Sequence, residues 1–150
     1  MSIRYTHTNI VAHDWRRLAK FYQEVFECEP LPPERNYKGE WIEKVTGLSG
    51  MTIRGIHLKV PGFKDPGPTL EIFQYDPPSD RPLFQANTPG FAHIAFHVED
   101  VALFRERVLA AGGSDLGQIH TMDVPGAGTI TLVYMRDPEG NIVELQNWKT

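Results

Sequence analysis

Residues 7–14 read HTNIVAHD and residues 93–100 read HIAFHVED. Each octet begins on a histidine, runs through small or apolar residues and ends on an aspartate. The offset is constant (93 − 7 = 86 and 100 − 14 = 86). A pattern written twice at a fixed distance marks an internal repeat, and a repeat sets the architecture.

Working outward from the first octet, residues 3–12 are rich in β-branched side chains and predict a strand. Asp14 stands where a helix N-cap belongs, because its carboxylate accepts a hydrogen bond from a free first-turn N–H. In WRRLAKFYQEVFEC, Trp15, Leu18, Phe21 or Tyr22, Val25 and Phe26 recur at helical spacing, and EPLPPE is expected to stop the helix. From the second octet, FAHIAFHV predicts a strand, Asp100 a cap and VALFRERVLAA a helix, which Gly112 and Gly113 end. MTIRGIHLKV and TITLVYM supply middle strands. DPGPTLEIFQY and DPEGNIVELQNW close the halves, each a turn followed by a strand with a glutamate inside it. The expected fold class is α+β: two βαβββ modules forming one curved mixed sheet with helices on its convex side. The expected division is a first module over 1–75, a Pro-rich connector over 76–90 and a second module over 91–150, all within one domain.

Composition restricts the function. A chain of 150 residues with 41% hydrophobic and 23% charged residues supports one globular core. A net charge of −4 without a basic run argues against nucleic acid and anionic membrane as partners. The single cysteine, Cys28, forms no intrachain disulfide, and the N-terminus lacks a secretory pattern, so a cytoplasmic location is expected.

Strand parity then sorts the polar residues. His7 goes with Asn9, Glu71 with Thr69, Phe73 and Tyr75, His93 with Ala95 and His97, and Glu144 with Ile142, Gln146 and Trp148. The aliphatic residues fall on the opposite, helix-covered face. Glutamate is disfavoured in mid-strand unless a partner offsets its cost. Two such glutamates in matching places beside two leading histidines suggest a metal site, since imidazole nitrogen and carboxylate oxygen suit a borderline divalent cation. His7, Glu71, His93 and Glu144 are therefore the expected ligands, with positions left for water or substrate. His57, with Lys59, lies opposite Ile56, Leu58 and Val60; it lines the same cavity or a solvated strand face. His97 reads as a sheet histidine, and His13 and His120 as surface residues, His120 in a loop. Tyr75, Phe73 and Trp148 are either an apolar wall or packing, and VPGAGT at 124–129 a turn or lid.

The stretches THTNIVAHDWRRLAKFYQEVF, TLEIFQY, FAHIAFHVEDVALFRERVLAAGG and RDPEGNIVELQNW resemble the vicinal oxygen chelate superfamily, which includes glyoxalase I, methylmalonyl-CoA epimerase, extradiol dioxygenases and the fosfomycin and bleomycin resistance proteins. The resemblance covers most of the chain. By position it places the metal ligands on His7, Glu71, His93 and Glu144, a set similar to that of bacterial glyoxalase I. It implies a divalent metal ion (Ni, Co, Zn, Mn or Fe), a homodimer and a small carbonyl or thioester substrate. Glu144 is implied as the catalytic base and Glu71 as its partner carboxylate. The implied reaction is that of a lyase or isomerase, abstracting a proton next to the carbonyl of a thiohemiacetal or thioester through an enediolate. The middle stretch ERNYKGEWIEKVTGLSGMTIRGIHLKV departs from the glutathione-handling text of glyoxalase I. Ring-cleaving dioxygenase chemistry and non-catalytic binding of a drug or metabolite are the alternatives.

Overall fold

The structure, a computed structural model, describes residues 2–150. The chain forms two compact units that divide in sequence between Asp80 and Arg81. Its architecture is α+β, with one strand–helix–strands module and one mixed sheet in each unit.

In the first unit β1 (His7–Val11), α1 (Trp15–Phe26), β2 (Glu29–Tyr37), α2 (Glu40–Thr46), β3 (Thr52–Lys59) and β4 (Thr69–Asp76) follow one another. The strand order is β1-β4-β3-β2, with β1 parallel to β4 and the other pairs antiparallel. Helix α1 crosses over between β1 and β2 and packs on β3 and β4. Asp14 caps it by accepting from the Arg17 N–H at 3.1 Å. Leu18 and Tyr22 on α1 are fully enclosed, as are Leu58 and Ile72 on the facing strands. Each such side chain contributes roughly 1.5–3 kcal/mol on burial. Cys28 is buried there too, and burial pushes its thiol up to about 12, which leaves it protonated and inert.

The second unit repeats the plan with β5 (His93–His97), α3 (Val101–Ala110), β6 (Ser114–Asp115), β7 (His120–Val124), β8 (Gly128–Arg136) and β9 (Ile142–Lys149). The order is β5-β9-β8-β6, and β7 pairs with the other end of β8. Asp100 caps α3 through the Leu103 N–H at 3.0 Å. The left-handed turn after α3 falls on Gly112 at φ +95°.

Several details depart from expectation. The first strand starts at His7 rather than residue 3. Helix α1 ends at Phe26, and Glu27 takes the left-handed conformation at φ 57°. The prolines of EPLPPE therefore do not stop it; they lie in β2. That strand is the edge of its sheet, where a missing N–H breaks no inner ladder, and its register shifts between Leu31 and Arg35. Its counterpart in the second unit is broken into β6 and β7, which places exposed His120 at the start of a strand instead of in a loop. The VPGAGT segment is a tight hairpin turn, with the Ala127 N–H bonded to the Val124 carbonyl. Helix α2 was not expected. It has seven residues and buries only Ile42, too little to write a periodic signal.

Gly55 in β3 sits against β4 so closely that an added Cβ would lie 1.9 Å from the Ile72 carbonyl oxygen and 2.7 Å from the Phe73 ring. The backbone oxygen cannot give way cheaply. Gly55→Ala is expected to destabilise the first unit by about 2–3 kcal/mol, measured by denaturant unfolding; a loss below about 0.5 kcal/mol would contradict this close approach.

Candidate metal centre

Sheet register brings the polar residues together. In the first unit Glu71 lies opposite Asn9 of β1 on one side and opposite His57 of β3 on the other. In the second unit Glu144 lies opposite Ala95 of β5 and Tyr134 of β8. In both, a histidine of the parallel strand stands two residues before the carboxylate's partner: His7 before Asn9, and His93 before Ala95. The duplication thus preserves a geometry as well as a pattern.

In the first unit His7 Nε2 is 3.5 Å from Glu71 Oε1, and His57 Nε2 is 2.8 Å from Glu71 Oε2. Asn9 donates to Glu71 Oε1 at 2.9 Å. The two imidazoles meet edge to face, their centroids 5.4 Å apart. Each ring has an oxygen partner at its Nδ1: Thr69 Oγ1 at 2.9 Å for His57 and Thr6 Oγ1 at 3.4 Å for His7. Burial pushes the His57 imidazolium below its ordinary range, against the upward pull of Glu71; Arg35 and His7 add to the depression. His57 is then neutral at pH 7, and its contact with Glu71 is a hydrogen bond to a carboxylate rather than an ion pair.

In the second unit His93 Nε2 is 3.0 Å from Glu144 Oε2, and the His93 ring lies 4.7 Å from that of Tyr134. Gln146 Nε2 donates to Glu144 Oε1 at 3.2 Å, and the Trp148 indole N–H donates to Gln146 Oε1 at 2.6 Å. This relay fixes the Glu144 side chain. Glu144 is 7% exposed and, with Asp137, one of two buried charged residues among those described. A carboxylate held that far from water is costly unless donors or a cation compensate it.

Four residues predicted as ligands therefore form two pairs, His7 with Glu71 and His93 with Glu144, each within its own unit. His57 joins the first pair, part-buried against Glu71 rather than on a solvated strand face. Lys59 instead reaches Asp65 at 3.1 Å. Phe73 is buried against Ile42 and Ile53 beneath α2, which is packing, although its ring meets that of His57 edge to face with centroids 6.2 Å apart. Burial, then the Glu71 charge, pushes the Tyr75 phenol above its ordinary value. Trp148 is tied into the Gln146 relay. His97 and His13 are exposed.

Residues 4–145 match the Glyoxalase/Bleomycin resistance protein/Dioxygenase superfamily. The chain belongs to this superfamily. Solved structures agree on the fold. A glyoxalase family protein from Bacillus cereus superposes with a TM-score of 0.83 at 22% identity, covering 100% of this chain and 97% of that one. A fosfomycin resistance protein from Listeria monocytogenes gives 0.61 at 18% identity, covering 99% and 96%. A glyoxalase I variant from Zea mays gives 0.64 at 22% identity; it covers 95% of this chain, which spans 45% of the maize chain. No curated protein matches. Members of the superfamily commonly bind a divalent metal, and the donor set here fits one: imidazole nitrogens and carboxylate oxygens, with the far ring nitrogens of His7 and His57 held by hydroxyl oxygens. Among the described residues no helix is long and apolar enough to cross a membrane.

Proposed function

We propose that the protein is a metal-dependent lyase or isomerase that removes a proton next to the carbonyl of a small thiohemiacetal or thioester. The observation that carries this reading is the repeated histidine–carboxylate pair, His7–Glu71 and His93–Glu144, set at the same sheet register in both modules. His7, Glu71, His93 and Glu144 would hold a divalent cation, within one chain or across a homodimer. When bound, such a cation stabilises negative charge developing on the carbonyl oxygen.

The chain's own groups divide the remaining work. Glu144 is the base. Glu71 has three polar neighbours, Asn9, His57 and His7, whereas Glu144 has two, His93 and Gln146, so Glu144 is the freer carboxylate to take a proton from carbon. The Gln146–Trp148 relay holds Oε1 of Glu144 and leaves its other oxygen on the His93 side. Glu71 is the partner carboxylate. The buried setting of Glu144 limits water around the proton in transit.

The test is solvent exchange. Protein loaded with Ni²⁺, Co²⁺ or Zn²⁺ is incubated in D₂O with the hemithioacetal of methylglyoxal and a simple thiol, and separately with an α-branched acyl thioester. Deuterium is expected at the carbon next to the carbonyl, read by proton NMR, and chelation should abolish it. Oxygen uptake with catechols in place of exchange would replace this reading with ring-cleaving dioxygenase chemistry. One feature favours that second reading: the first unit alone offers two imidazoles and a carboxylate, a donor set that suits ferrous iron.

A further inference from the structure

One difference between the two modules concerns the donors around the carboxylate. Across the sheet from Glu71 stands His57; across from Glu144 stands Tyr134. The ring of each also lies near that of the leading histidine of its unit, at 5.4 Å and 4.7 Å between centroids. The first module thus has a third donor where the second has a phenol. His7, His57 and Glu71 each offer a ligand atom, all within 4.8 Å of one another. A cation bound at about 2.1 Å spaces neighbouring donors about 3 Å apart, and the two imidazole–carboxylate separations here, 3.5 Å and 2.8 Å, bracket that value.

The surroundings point the same way. A ligating imidazole is oriented by a hydrogen bond at its other nitrogen, which fixes the tautomer and the ring plane. His57 has this bond from Thr69, its neighbour on β4, at 2.9 Å. The threonine hydroxyl can donate or accept. When a cation replaces the proton on His57 Nε2, the ring proton moves to Nδ1 and the hydroxyl accepts it. Asn9 holds one oxygen of Glu71 from the opposite side, so the carboxylate is fixed between two strands. Half-burial of the trio excludes part of the competing water without closing access: the His57 and Glu71 side chains are 16% and 15% exposed and that of His7 is 38%.

We propose that the first module binds a borderline divalent cation by itself, through His7 Nε2, His57 Nε2 and the Glu71 carboxylate, and that His57 is a metal ligand. The second-module pair is then not required to hold the metal in place. The inference rests on the proposed reading only in taking His7 and Glu71 as ligands.

The experiment uses the full chain and Co²⁺ alone, with no substrate. Binding is followed by visible absorption of the Co²⁺ ion and by competition with a chromophoric chelator. His57→Gln keeps a donor beside Glu71 but removes the imidazole. It is expected to weaken Co²⁺ binding on the order of a hundredfold and to change the absorption bands. The double variant His93→Ala/Glu144→Ala should still bind Co²⁺, weakened by no more than about tenfold, because the three donors of the first module remain. Unchanged affinity and spectrum in His57→Gln would overturn the proposal, as would a loss in the double variant equal to that in His57→Gln. Should His57→Gln fail to fold by circular dichroism, His57→Asn and the double variant carry the same comparison. Because no turnover is measured, metal binding as expected with no proton exchange would sink the proposed reaction and leave this assignment standing.

Discussion

Glu144→Gln is expected to lower the turnover number for proton exchange about a thousandfold while changing KM by no more than a few-fold. The substitution keeps the shape of the side chain and one of its two acceptor oxygens, so the hydrogen bond from Gln146 or the contact with His93 survives and the fold is little disturbed. It removes the one thing a base needs, a lone pair that can take a proton from carbon. Positioned acid–base groups contribute about 10²–10⁴ in rate, which sets the size of the effect. The measurement is kcat and KM from initial rates of deuterium incorporation, with circular dichroism as the folding control. A kcat within tenfold of the parent would move the base elsewhere; Glu71 is then the next carboxylate to replace.

The second large effect concerns Asp137, whose side chain does no chemistry. It is 2% exposed and closes the turn between β8 and β9. Its Oδ1 accepts from the backbone N–H groups of Glu139 and Asn141 at 2.9 and 3.0 Å, and Oδ2 accepts from the Asn141 amide at 2.8 Å. Asp137→Ala leaves those donors without their acceptor inside the protein, at an expected cost of about 3 kcal/mol. For a chain of this size that corresponds to about 10 °C in Tm. Asp137→Asn keeps one acceptor oxygen and should lose about half as much. Thermal and urea unfolding check both; an alanine variant within about 0.5 kcal/mol of the parent would mean that water serves the turn as well. Since this turn sets the start of β9, the alanine variant should also disturb Glu144 and lower kcat.

Much of this is legible in the sequence. The doubled octet carries its own strand, cap and helix, and Asp14 and Asp100 cap α1 and α3 by the bonds their positions imply. Parity placed Glu71 with Phe73 and Glu144 with Gln146 because side-chain alternation is local to a strand. The role of His57 is not local. Parity gave its face, but its place opposite Glu71 depends on the β3–β4 register, which is fixed by the loop over 60–68 rather than by any residue near the histidine. Tyr134 escaped notice for the same reason. Helix α2 was missed because seven residues with one buried side chain leave no periodic trace, and the β6–β7 break because two short pieces of strand carry little alternation.

The proline-bearing edge strand has a further consequence. Exposed strand edges invite pairing with other chains, which is the route to sheet polymerisation and amyloid. Pro30, Pro32 and Pro33 lie along β2, the outermost strand on its side of the first sheet, and three missing donors with a shifted register make that rim a poor template. Growth from the first sheet is left to its other rim, β1, which is only five residues long. The same residues that look like helix breakers in the text of the chain therefore serve as a guard against self-templated aggregation.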